Sequence, residues 1–176
     1  RIWKPIVLDC EHGVSAAAGD VNADGRDEIV LVVCHDRNAS ESSWVYWRTN
    51  KGFDNQHRTA LPTTSARDAA VGDLDGDGCA DIVICQGRTD IFNTTESLIF
   101  RGGADGGMTP PARLTTHDAT TALIAKTDDS KNPQVIFINH VTGRVRGDIS
   151  AYLYYGGTDG FSAERRSELP GWSAPD

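Results

Sequence analysis

A chain of 176 residues that is 39% hydrophobic and carries 18 glycines can bury one domain-sized core, and it points to many short strands and turns rather than long helices. Its formal net charge of −8 argues against nucleic acid as a partner, because phosphate binding wants a basic face. No apolar run approaches the roughly 18 residues of a membrane-spanning helix. The chain opens at Arg1 without Met; it reads as processed or truncated, so a missing signal peptide carries no information.

In chain order the sequence repeats itself. Residues 1–8 read as the end of one unit, with a fourth strand from Ile2 to Leu8. A first full unit, 9–61, has a small-residue strand at Ala16-Ala17-Ala18-Gly19, then Gly19-Asp20-Val21-Asn22-Ala23-Asp24-Gly25, then the β-branched run after Glu28. A shift of 53 lays these onto Gly72-Asp73-Leu74-Asp75-Gly76-Asp77-Gly78 and the run after Asp81, in a second unit at 62–115. Trp44-Val45-Tyr46-Trp47 falls on Ser97-Leu98-Ile99-Phe100 and, in a third unit at 116–169, on Ala151-Tyr152-Leu153-Tyr154. The middle unit predicts strands near 67–72, 81–86, 96–101 and 109–115. Small residues in the first strand suit sheets crowding toward a common axis. A nearly continuous apolar second strand suits burial on both faces. Aromatics in the third pack well between stacked sheets. A four-stranded unit repeated radially describes a β-propeller blade.

The densest chemistry lies in the second unit. From Asp73 to Asp81, acidic side chains occupy loop positions 1, 3, 5 and 9, with Gly78 at position 6. Four carboxylates on one tight loop repel each other unless a hard cation neutralises them, and Ca²⁺ accepts six to eight oxygens in a flexible shell. Cys79, at position 7, needs to offer only its carbonyl. An EF-hand is excluded, since position 12 is Ile84 rather than Glu and the flanks are too short for helices. The third unit reads Lys126-Thr127-Asp128-Asp129-Ser130-Lys131-Asn132-Pro133-Gln134, with Lys126 at position 1 and Gln134 at position 9. No ion is expected there, while the strand behind it is kept.

Gly-Asp-Val-Asn-Ala-Asp-Gly-Arg-Asp-Glu-Ile-Val at 19–30 and Gly-Asp-Leu-Asp-Gly-Asp-Gly-Cys-Ala-Asp-Ile-Val at 72–83 resemble FG-GAP/VCBS-type repeats, the blades of integrin-α-like β-propellers. Tyr154-Tyr155-Gly156-Gly157-Thr158-Asp159-Gly160-Phe161 resembles the element that names the family, so the resemblance covers essentially the whole chain. It implies an all-β fold of four-stranded antiparallel blades, about three present, as part of a larger, commonly seven-bladed propeller. It also implies two structural Ca²⁺ sites. One is held by Asp20, Asn22, Asp24, the Arg26 carbonyl and Glu28; the other by Asp73, Asp75, Asp77, the Cys79 carbonyl and Asp81. Glu28 replaces the usual Asp and is longer, which implies a looser first site.

Other features are weaker. Cys10 and Cys34 flank strands expected to pair and would be placed for a disulfide in an oxidising compartment; Cys85 reads as a buried structural thiol. Asn38 and Asn93 head glycosylation sequons, and Arg146-Gly147-Asp148 matches an integrin-recognition tripeptide that a turn would carry anyway. His35 and His140 follow second strands at similar repeat positions but form no recognisable catalytic motif. No Gly-x-Ser-x-Gly elbow, phosphate loop or HExxH is present. The expectation is a non-enzymatic extracellular or cell-surface module for adhesion, protein binding or assembly, with a protein or glycan ligand, and with neighbouring blades or copies as partners. The alternative is a lectin-like propeller or an accessory domain of a polysaccharide-active enzyme, in which Trp3, Trp44, Trp47 or Trp172 would stack on sugar rings.

Overall fold

The computed structural model of the chain describes residues 5–34, 40–90, 94–127, 132–142, 145–146, 149–157 and 159–170. These contain three four-stranded antiparallel sheets and no helix. The first sheet runs β1 (Gly13–Gly19), β2 (Glu28–Val33), β3 (Ser40–Tyr46) and β4 (Arg58–Thr64), paired in that order. The second runs β5 (Ala66–Gly72), β6 (Asp81–Gln86), β7 (Thr94–Phe100) and β8 (Ala112–His117). In the third, β9 (Thr121–Ala125) and β10 (Gln134–Ile138) are followed by a small hairpin, β11 (Val141–Thr142) with β12 (Val145–Arg146), that has no counterpart among the described residues of the other two. Then β13 (Ala151–Gly157) and β14 (Gly160–Leu169) complete it.

Each sheet is therefore a meander whose strands follow in sequence order, as the repeat implied. The pairing corrects the alignment of the third strands by one residue. Ile29 faces Tyr46, Ile82 faces Phe100 and Val135 faces Tyr154, so Tyr46 rather than Trp47 is the counterpart of Phe100. Residues 5–8, expected as a fourth strand, form none, because the described residues offer no third strand for them to pair with. That segment is instead tied down through Asp9, whose N–H donates to Asn55 Oδ1 (2.8 Å) and whose carbonyl accepts the Tyr46 hydroxyl (2.5 Å). The Tyr154 hydroxyl repeats the latter bond on the Thr115 carbonyl of β8 (2.6 Å).

The sheets stack face to face, and the core lies between them. Val30, Val32, Val45 and Leu61 of the first sheet meet Ile82, Ile84, Leu98 and Phe100 of the second. Val83, Cys85, Ile99 and Leu114 of the second meet Val135, Phe137, Tyr152 and Tyr154 of the third. The continuously apolar β6 feeds both clusters, and all six of its residues are buried. β5 lies between β1 and β9 at the crowded inner edge. There Asp68 accepts Ser15 Oγ (2.6 Å) on one carboxylate oxygen and the Ala122 N–H (3.2 Å) on the other, joining all three sheets. The step from one outer strand to the next inner strand uses a left-handed residue each time: His12 (φ 58°), Ser65 (φ 50°) and Asp118 (φ 46°) sit at the same repeat position.

Cys10 and Cys34 do come to one corner, with Cys10 Sγ against Gly13 and the Cys34 N–H on the His12 carbonyl (3.1 Å), but both are free thiols, so the disulfide envisaged for an oxidising compartment is not formed. Asn38 and Asn93, the two sequon asparagines, and Trp3 and Trp172 lie outside the described residues.

Gly102 marks a close main-chain approach: a Cβ there would collide with the Ala80 carbonyl oxygen of its own sheet and stand 2.6 Å from that of Val21 in the first sheet. Gly76 has open space around it but a φ of +83°. Gly102→Ala is expected to cost about 3 kcal/mol, because two main-chain carbonyls cannot yield. Gly76→Ala should cost only about 1 kcal/mol, for the left-handed backbone. Urea denaturation in chelator checks this, and equal costs would refute the wedge.

Candidate metal centre

Both acidic loops join an inner strand to the buried second strand of a sheet. The residue at position 2 of each loop, Val21 or Leu74, is fully buried in an inter-sheet cluster and anchors the loop. Its backbone N–H is taken by the side chain at position 9: Val21 N–H to Glu28 Oε2 (3.0 Å) and Leu74 N–H to Asp81 Oδ2 (3.1 Å). At position 1, Asp20 accepts the N–H of Asp24 (3.0 Å) and Gly25 (2.8 Å), and Asp73 accepts those of Gly76 (2.6 Å) and Gly78 (3.0 Å). Left-handed Ala23 and Gly25 in the first loop match left-handed Gly76 and Gly78 in the second. The two loops share one fold.

In the second loop this geometry brings Asp73, Asp75 and Asp77 together, each offering a carboxylate oxygen within 4.8 Å of the others. Asp81 is 2% exposed, and burial raises its carboxyl to about 6; the Gly102 and Leu74 amides oppose this, while Asp77 and Asp73 add to it. In the first loop Asn22 Oδ1 and Asp20 Oδ1 both accept the Asp24 N–H. Glu28 is fully buried and its Oε1 makes no hydrogen bond. Burial raises its carboxyl, the Val21 and Arg48 amides give partial relief, and Asp24 and Asp20 push it further up. An orphaned carboxylate oxygen in a dry site beside two more carboxylates is what a bound cation would satisfy. All-oxygen donors of this kind suit a hard divalent ion. Arg26 is exposed and Cys79 buried; the Cys79 thiol is held neutral by burial first and by the surrounding aspartates next, which leaves its carbonyl as the donor.

In the third sheet, Asp128, Asp129, Ser130 and Lys131 lie outside the described residues. Gln134 occupies position 9 and makes the same closing bond, accepting the Thr127 N–H (2.6 Å) and Thr127 Oγ1 (2.9 Å) while its Nε2 donates to the Asn132 carbonyl (3.0 Å). A neutral amide thus does the structural half of the carboxylate's work.

Sequence reasoning missed Arg101. It follows β7 at the position held by Trp47 in the first sheet and Tyr155 in the third, and its Nη1 contacts Asp75 Oδ2 and approaches Asp81 Oδ2 (3.9 Å). With the third strands aligned one residue off, this Arg fell opposite Arg48, whose guanidinium lies over the Phe53 ring (5.7 Å). Away from the loops, His140 Nδ1 meets Asp118 Oδ2 (3.2 Å), while His35, Gly147 and Asp148 lie outside the described residues. Trp44 carries the Arg58 guanidinium on its face (4.0 Å), and Trp47 packs on the core with Nε1 donating to Thr59 Oγ1 (2.8 Å).

Stacked four-stranded meanders bearing acidic loops at the turn into a buried strand define a protein built of β-propeller-type blades. Residues 20–84, the stretch that carries both acidic loops, match the family model of the FG-GAP-like repeat. The third sheet falls outside the matched residues. Comparison with curated proteins finds no match.

Gln134→Ala is expected to cost about 2–3 kcal/mol, the three side-chain hydrogen bonds it makes with Thr127 and Asn132, and the loss should be the same with calcium or chelator. Cys85, fully buried with its thiol pushed up to about 12, should resist iodoacetamide in the folded chain and react only in denaturant, since the thiolate is the nucleophile. Mass spectrometry of peptides spanning residue 85 checks this.

Proposed function

We propose that the chain is a non-enzymatic, calcium-stabilised β-propeller module that works outside the cell or at its surface, in adhesion, protein binding or assembly. The observation that carries the calcium reading is the buried Glu28 carboxylate, whose unpartnered Oε1 sits in a loop with Asp20 and Asp24. The same loop recurs around Asp73, Asp75 and Asp77. In each loop the position-1 and position-9 side chains also hold backbone amides, so an ion there would staple the turn to the sheet rather than activate a water. FG-GAP-like repeat sequence supports an extracellular setting.

The module reading rests on where apolar surface is left. Among the described residues the large exposed hydrophobics include Val14 of the first sheet and Leu123, Ile138 and Leu169 of the third, and none of the second, which is covered on both faces. That distribution supports neighbours on either side of the stack, as further blades of a larger propeller or as copies of the chain.

Calcium at a hundredfold excess over its dissociation constant should add about 2.7 kcal/mol to stability by mass action, raising the melting temperature by roughly 5–10 °C for a chain of this size. Chelator should reverse the rise. Glu28→Gln and Asp73→Asn should each remove one bound equivalent in calorimetric titration. A melting temperature indifferent to calcium and chelator would overturn the reading.

A further inference from the structure

The two loops are alike in backbone and unlike in charge. The first loop leaves the Glu28 Oε1 without a hydrogen bond, and the residue at the matching place after the third strand, Trp47, is neutral and packs on the core. The second loop meets a guanidinium at that position. Arg101 contacts Asp75 and lies 3.9 Å from Asp81, so its charge stands among the carboxylates at positions 3 and 9. It is only 27% exposed, and a neighbouring backbone amide, Gly102 N–H, fixes the other oxygen of Asp81 (3.1 Å). On its far side the guanidinium lies against Gly160 in the β13–β14 turn, 3.2 Å from where a Cβ would stand.

Accepting the calcium reading above, we propose that Arg101 is the built-in counter-ion of the second loop: a divalent cation binds at Asp73–Asp81 by exchange with the guanidinium, which sets that site's affinity below that of the Glu28 loop. An arginine is charged at every working pH, so it competes as a fixed positive charge. An ion entering between Asp75 and Asp81 meets that charge at close range, where like charges repel strongly in a partly dry site. The carboxylates cannot serve both at full strength. Among the described residues the first loop has no such competitor and keeps a carboxylate oxygen without a hydrogen bond, so it fills first. Filling the second loop frees the guanidinium toward the turn of the third sheet, which couples ion occupancy to the contact between the second and third sheets.

The test is calorimetric titration of the whole chain with calcium chloride. Wild type should show two steps separated by at least tenfold in dissociation constant. Arg101→Gln should tighten the weaker step about tenfold or more and leave the stronger one within twofold, while Arg101→Lys should keep the weak step weak. Should Arg101→Gln fail to fold, the wild-type Arg101 Nε–H resonance provides the reading, and it should shift with the second equivalent and not the first. A normal first step with no tightening in Arg101→Gln, or a resonance unmoved through both steps, overturns the exchange and leaves the calcium reading intact. If neither wild type nor Arg101→Gln binds calcium, both fall.

Discussion

The loops hang on one hydrogen bond, from the amide at position 2 to the side chain at position 9. It closes the turn, and it plants Val21 and Leu74 in the inter-sheet clusters from which the stack draws its cohesion. The acceptor is a glutamate, an aspartate and, in the third sheet, a glutamine at Gln134. The fold therefore requires an acceptor at that point and not a charge. A buried carboxylate costs far more to desolvate than an amide, so a carboxylate doing an amide's work implies a second duty. Glu28 states it most plainly, with one oxygen on the Val21 amide and the other without a hydrogen bond.

On the proposed reading, the second loop is tuned from outside itself. Besides Asn22 for Asp75 and Glu28 for Asp81, the two loops differ in the residue arriving from the end of the third strand, Trp47 in one and Arg101 in the other. Blade repeats thus offer a position where the charge beside a loop can be changed without changing the loop's own side chains.

Much of this was legible in the sequence, for reasons that can be named. β6 was read to the residue because an apolar run between Asp81 and Gln86 has sharp polar ends. The loops were legible because carboxylates at alternate positions followed by glycine have few other uses. The third strands slipped by one residue in the alignment, since the connections before them differ in length and aromatic residues at Tyr46 and Trp47 fit either register. That slip hid Arg101. The left-handed turns at His12, Ser65 and Asp118 were invisible, because three chemically unrelated side chains share one backbone demand. The β11–β12 hairpin has no equivalent among the other described residues, so a repeat search could not anticipate it.

Both apolar clusters belong to pairs of sheets, and neither lies within a single sheet. A lone repeat cut from this chain would have two oily faces and no interior. The hereditary unit and the folding unit are therefore different objects: duplication can copy one blade of sequence, but only two or more copies side by side amount to a protein. An ancestor of one repeat would have had to find its second half in another molecule, and the habit of stacking would have come before the long chain.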